Sequence, residues 1–261
     1  GGGTLDPHLY SQFTNFENFG LTGHGSLVIQ GTQPIQTLIL EGATFDLQQG
    51  STLQTLGAIA ITGTGGNDHV INHGAIVGDV VLGGGNDRFD LHPGSTVGGS
   101  VDGGAGVNRL GLYLGNSGTP APLDFTPYSN FEQFTFGSGF GSLSGNTTFA
   151  LIDVDGGRLV GLAGSTINAP QGITVAPGAT FGSAGAINGD IAVRGTLSPG
   201  ASPGTMTVSG NMILASGSTT LFEMTPTISD ALIINGSLTV QAGAALDITG
   251  TRPLTPGVTY D

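Results

Sequence analysis

Three Gly-rich stretches carry the residues best suited to chemistry. Gly63-Thr64-Gly65-Gly66-Asn67-Asp68-His69-Val70-Ile71 fits, in part, the calcium-binding nonapeptide Gly-Gly-x-Gly-x-Asp-x-apolar-x. Leu82-Gly83-Gly84-Gly85-Asn86-Asp87-Arg88-Phe89 lacks the first Gly of that pattern. Gly103-Gly104-Ala105-Gly106-Val107-Asn108-Arg109-Leu110 has every Gly but carries Asn108 where the pattern needs Asp. In such a design Gly carbonyls and Asp carboxylates of successive turns supply the hard oxygen ligands that Ca²⁺ takes. The key positions Asp68, Asp87 and Asn108 are almost evenly spaced, with no copies between them. Asp68 and Asp87 are therefore the candidate ligands of a single Ca²⁺, and no other cofactor is expected. The alternative is that these are Gly-rich turns in which Asp or Asn caps its own backbone.

His69, His73 and His92 lie in the same region, and His92 follows His73 by the same offset as Asp87 follows Asp68. Imidazoles one above the other could bind a transition metal; solvated turn residues are the simpler reading. Gly200-Ala201-Ser202-Pro203-Gly204 matches Gly-x-Ser-x-Gly in form. A nucleophile elbow needs a strand before it, a helix after it, and a His and an acid nearby. Pro203 follows the Ser directly, and all five His precede residue 93, so the match is accidental. Asp153-Val154-Asp155 places two carboxylates on one face of a strand, and such a pair could cleave a sugar by acid–base chemistry. A sugar groove also needs aromatic platforms, and the chain has no Trp and four Tyr. No catalytic residue is assigned, and an enzyme is not expected from these residues.

Short strands must position all of these side chains. Apolar triplets such as Leu27-Val28-Ile29, Leu38-Ile39-Leu40, Ile59-Ala60-Ile61, Val80-Val81-Leu82 and Leu238-Thr239-Val240 recur between Gly, Asn, Ser and Pro. No stretch repeats apolar residues at helical spacing without a Gly or Pro break. A unit Gly-(Ala/Ser)-x-apolar begins at Gly42, Gly50, Gly74, Gly94, Gly178 and Gly243, and the Gly74 and Gly94 copies stand about one coil length apart. Phe16-Glu17-Asn18-Phe19 has a distant echo in Phe131-Glu132-Gln133-Phe134. The reading is two tandem modules, residues 1–125 and 126–261, without a linker. Strands this short cannot bury a face alone. Stacked as parallel coils of about 20 residues they pair backbone groups and bury a column of aliphatics. The expectation is thus an all-β parallel β-helix, a solenoid, with a β-sandwich or propeller as the rival.

Composition narrows the partners. The chain has 261 residues, 49 of them Gly, yet 38% are hydrophobic, which sets it apart from a disordered Gly-rich tract. The five cations are all Arg and the formal charge is −13. Such a surface repels phosphate backbones, anionic membranes and anionic polysaccharides, so no nucleic acid is expected. There is no Cys, hence no disulfide or thiolate site. No apolar run is long enough for membrane insertion.

Residues 195–208, Gly-Thr-Leu-Ser-Pro-Gly-Ala-Ser-Pro-Gly-Thr-Met-Thr-Val, with Gly210-Asn211 and Leu221-Phe222-Glu223, resemble the Leu-Ser-Pro-Gly-x-Ser-Pro-Gly segment of bacterial autotransporter passenger domains. Asp230-Ala231-Leu232, the run Val70–Val80 with Gly84-Gly85-Asn86-Asp87, and the Phe-Glu modules at Phe16 and Phe131 are similar to repeats of that family. The likeness covers most of the chain. It implies a right-handed parallel β-helix at the cell surface of a Gram-negative bacterium, or secreted from it. It also implies type V secretion, with a C-terminal β-barrel translocator in the full-length chain. The implied role is adhesion or autoaggregation, or that of a structural stalk. The implied partners are host or bacterial cell-surface molecules, or the protein itself. The alternative is the stalk of a protease or esterase whose catalytic domain lies outside these residues.

Overall fold

The computed structural model describes residues 18–23, 26–200, 203–225 and 228–250. Among them the chain forms 31 strands and no helix. The strands pair in parallel and stack as a β-solenoid, as the repeats predict. Contacts divide the chain into two compact units: Gly1–Gly115 with Asp124–Gly137, and Asn116–Leu123 with Ser138–Asp261.

In the second unit each coil has three short strands. Leu151–Val154, Arg158–Gly161 and Thr166–Asn168 are followed by Ile173–Val175, Thr180–Ser183 and Ala186–Asn188. Each strand lies on its counterpart one coil away. Ile152 faces Ile173, Ile173 faces Ile191 and Ile191 faces Met212. Leu159, Phe181 and Leu197 stack in the second ladder, and Ile167, Ile187 and Val208 in the third. All of these side chains are buried. The alternation within each strand explains this: every second residue points inward, and the inward set is apolar.

The first unit uses longer strands for the same task. Thr52–Gly63 has 12 residues. It pairs with Thr32–Ile35 along its first part and with Thr37–Glu41 along its last, so it lines two faces. Register shifts between Gln54 and Ile59, and between Ile59 and Ile61, mark the bend. The opposite ladder is regular. Thr44, His69, Arg88 and Arg109 lie one above another, one to each coil. Its inward column is Leu27, Phe45, Val70, Phe89 and Leu110, none more than 2% exposed. Burying each such side chain contributes about 1.5–3 kcal/mol relative to exposure.

Two details depart from the repeat reading. Thr96, not Ser95, lies over Ala75, so the units at Gly74 and Gly94 are out of register by a single position. The unit at Gly74 buries Ile76 and leaves Val77 38% exposed. Coils also approach closely at the Gly-rich turns. Gly106 has φ of 130°, and a Cβ there would lie on the Gly85 carbonyl oxygen one coil away. Only glycine meets both demands.

Candidate functional site

The Gly-rich turns of the first unit stack on one edge, and Asp68, Asp87 and Asn108 each stand just before a strand of the regular ladder. Parallel pairing uses the carbonyls of the two Asp: Arg88 N–H donates to Asp68 O and Arg109 N–H to Asp87 O, both at 2.8 Å. Their own N–H groups are left over at the turn, and the next coil supplies an oxygen for each. Ala43 N–H donates to Asp68 Oδ1 (2.9 Å), Asp68 N–H to Asp87 Oδ1 (2.7 Å), and Asp87 N–H to Asn108 Oδ1 (2.9 Å). Asn108 N–H ends the series on Glu132 Oε2 at 2.7 Å. A second, exposed column runs the opposite way. Asn86 N–H donates to Asn67 Oδ1 (2.7 Å), and Val107 N–H to Asn86 Oδ1 (2.9 Å). Side-chain oxygens therefore clamp consecutive coils from both directions, and buried N–H groups keep a partner.

The predicted pair is thus stacked one coil apart, with side chains buried rather than solvated: Asp68 is 2% exposed and Asp87 1%. Their Oδ1 atoms cap the backbone of the preceding coil, not their own turn. Their Oδ2 atoms are buried without a hydrogen-bond partner. Burial pushes both carboxyls up, Asp87 to about 6. Among the described residues no group of three or more His, Asp or Glu side chains gathers where it could hold a metal ion.

The outward face of the same ladder carries a cluster that sequence reading saw only in part. Asp90, with a side chain 4% exposed, accepts from His69 Nε2 at 2.8 Å. Arg88 Nε lies 2.8 Å from its Oδ2 and 3.0 Å from its Oδ1. Burial alone would raise the Asp90 carboxyl; the His69 and Arg88 hydrogen bonds and the nearby charge outweigh it and hold the carboxyl below its ordinary range. The other end of Arg88 donates to Tyr113 Oη at 2.9 Å. His73 and His92 do stack, with ring centroids 3.9 Å apart, and Tyr113 extends the stack beyond His92 at 4.4 Å. Burial, then the neighbouring His73, pulls the His92 imidazole below its ordinary value. His73 Nε2 lies 4.0 Å from Asp46 Oδ1. The equal offsets from Asp68 to Asp87 and from His73 to His92 were the signal for this column; Asp90 and Tyr113 lacked a repeated partner in the sequence.

A cleft of about 260 Å³ opens beside this stack, lined by His92, Pro93, Ser95, Tyr113 and Tyr128 among others. Among the described residues no carboxylate lines it. The Asp153 and Asp155 side chains do point away from the core, and Asp153 Oδ1 accepts from Thr174 Oγ1 at 2.6 Å. Ser202 of the Gly-x-Ser-x-Gly match lies outside the described residues. Comparison with protein-family models, with curated proteins and with solved structures returns no match.

Proposed function

We propose that the chain is a surface-exposed passenger segment of a bacterial autotransporter, and that it acts by adhesion or autoaggregation. One observation carries this reading: polar side chains on an outward face repeat as a coil-to-coil ladder. Asn168 Nδ2 donates to Thr148 Oγ1 at 3.0 Å, and Asn188 Nδ2 donates to Asn168 Oδ1 at 2.8 Å, with Thr148 and Asn188 exposed and Asn168 half-buried. Such a face presents amide and hydroxyl groups coil after coil. It can zip against a similar face through many bonds, each contributing about 0.5–1.5 kcal/mol. The ladder residues Thr148, Asn168 and Asn188 are themselves uncharged, so the carboxylates behind the net charge of −13 are on other residues. The likeness of residues 195–208 to passenger segments supports the family and the cell-surface setting, with self or cell-surface molecules as partners.

The second reading is a stalk for an enzyme domain outside these residues. It is favoured by the outward acid–base groups, which are engaged with one another: His69 and Arg88 are held by Asp90, and Arg109 by Gln133 and Thr135. The test is display of the full-length parent on a non-adhesive bacterium, with and without residues 1–261. Loss of settling and attachment on deletion, with display intact, supports an adhesive surface. Unchanged settling and attachment would reduce the segment to a spacer.

A further inference from the structure

The Asp68–Asp87 edge contains an acceptor facing an acceptor. A point in front of Gly63 lies 2.6 Å from Asp68 Oδ2 and against the Leu82 carbonyl oxygen of the next coil. The corresponding point in front of Gly103 lies 3.0 Å from Asn108 Nδ2 and against the Asn130 carbonyl oxygen. There the chemistry is complete: Asn108 Nδ2 donates to Asn130 O at 3.0 Å. Asp68 offers oxygen where Asn108 offers N–H. Both Asp68 Oδ2 and Asp87 Oδ2 are buried without a partner, on residues only 2% and 1% exposed. Two such oxygens and a carbonyl need something positive between them.

We propose that Asp68 and Asp87 bind one Ca²⁺ between their Oδ2 atoms, with the Leu82 carbonyl as a further ligand. The spacing favours this ion. Groups stacked one coil apart lie about 4.8 Å from each other, so an ion midway sits about 2.4 Å from each. That is a calcium–oxygen distance; Mg²⁺ requires about 2.1 Å and a near-ideal octahedron. Two carboxylates neutralise the ion. The proposal concerns the solenoid's own cohesion and does not depend on the adhesive reading.

The test is thermal unfolding and calorimetric titration of residues 1–261, freed of metal by chelation, at pH 7.5 with Ca²⁺ or Mg²⁺. For an affinity of about 10⁻⁴ M, about 10 mM Ca²⁺ raises the folding constant roughly a hundredfold. Mg²⁺ gives far less. The double variant Asp68→Asn/Asp87→Asn, which copies the arrangement at Asn108, folds and loses the response. Asn108→Asp adds a carboxylate to the column and strengthens it. The proposal is overturned if Ca²⁺ leaves the wild type unchanged, or if the double variant responds as the wild type does. It is equally overturned if acid alone stabilises the protein while Ca²⁺ does nothing, because a proton then fills the role.

Discussion

Asp87→Asn, followed across pH in metal-free buffer, isolates what a buried carboxyl costs this edge. The Asp87 carboxyl titrates at about 6 against an ordinary 3.8, with burial as the main cause. Its folded state therefore binds more protons than its unfolded state between those values. A raised carboxyl adds stability that is fully present below its unfolded value and is lost as pH rises through the folded one. About two pH units correspond to at most ~3 kcal/mol. Asp90 and Asp124 work the other way: their lowered carboxyls add stability as pH rises toward and above 3.8. The wild-type curve alone is therefore a mixture, and the difference between wild type and Asp87→Asn is the quantity to read. Urea unfolding from pH 3.5 to 7.5 should show the variant gaining on the wild type through this window, by up to about 3 kcal/mol at the top. Asn at position 87 still accepts the Asp68 N–H, as Asn108 accepts that of Asp87. A pH-independent difference, or a variant that falls further behind as pH rises, would refute the reasoning.

Gly106→Ala should cost at least about 2 kcal/mol, from backbone strain at positive φ and collision with Gly85 O. Gly118→Ala, where nothing lies within 4 Å of the new Cβ, should change stability by less than about 0.5 kcal/mol, and equal costs in urea unfolding would contradict the packing. His92 should titrate below 6.5 by NMR, and His73→Ala should move it upward; an unmoved His92 would show that the stacked neighbour does not act on it.

The stacking of Asp68 under Asp87 and of His73 under His92 was legible because parallel coils place equal offsets one above another. A repeat of identities at one offset then becomes a spatial column. The column's continuation through Asn108 to Glu132 was harder to read. The offset lengthens with each coil there, and the chemistry passes from carboxylate to amide to a longer carboxylate. Local alternation sets which side chains face inward only while a strand keeps its phase. Along the first part of Thr52–Gly63 the phase holds, with Leu53 over Ile76 and both buried; the register shifts beyond Gln54 break it from there on. Asp90 was invisible for a different reason. Its role depends on His69 and Arg88 meeting across neighbouring strands, and no repeat announces such a pair.

The three-strand coils of the second unit have a mechanical consequence. Each ladder joins a coil only to the coil before and the coil after, so tension has no shortcut past a neighbour. A pulled unit should therefore yield in instalments, each freeing one turn of chain. One coil, at about 20 residues, releases on the order of 70 Å of contour. The coils left behind keep their template face, and the freed length can wind back onto it. Under shear, such a unit behaves as a reel that lets out line and recovers it.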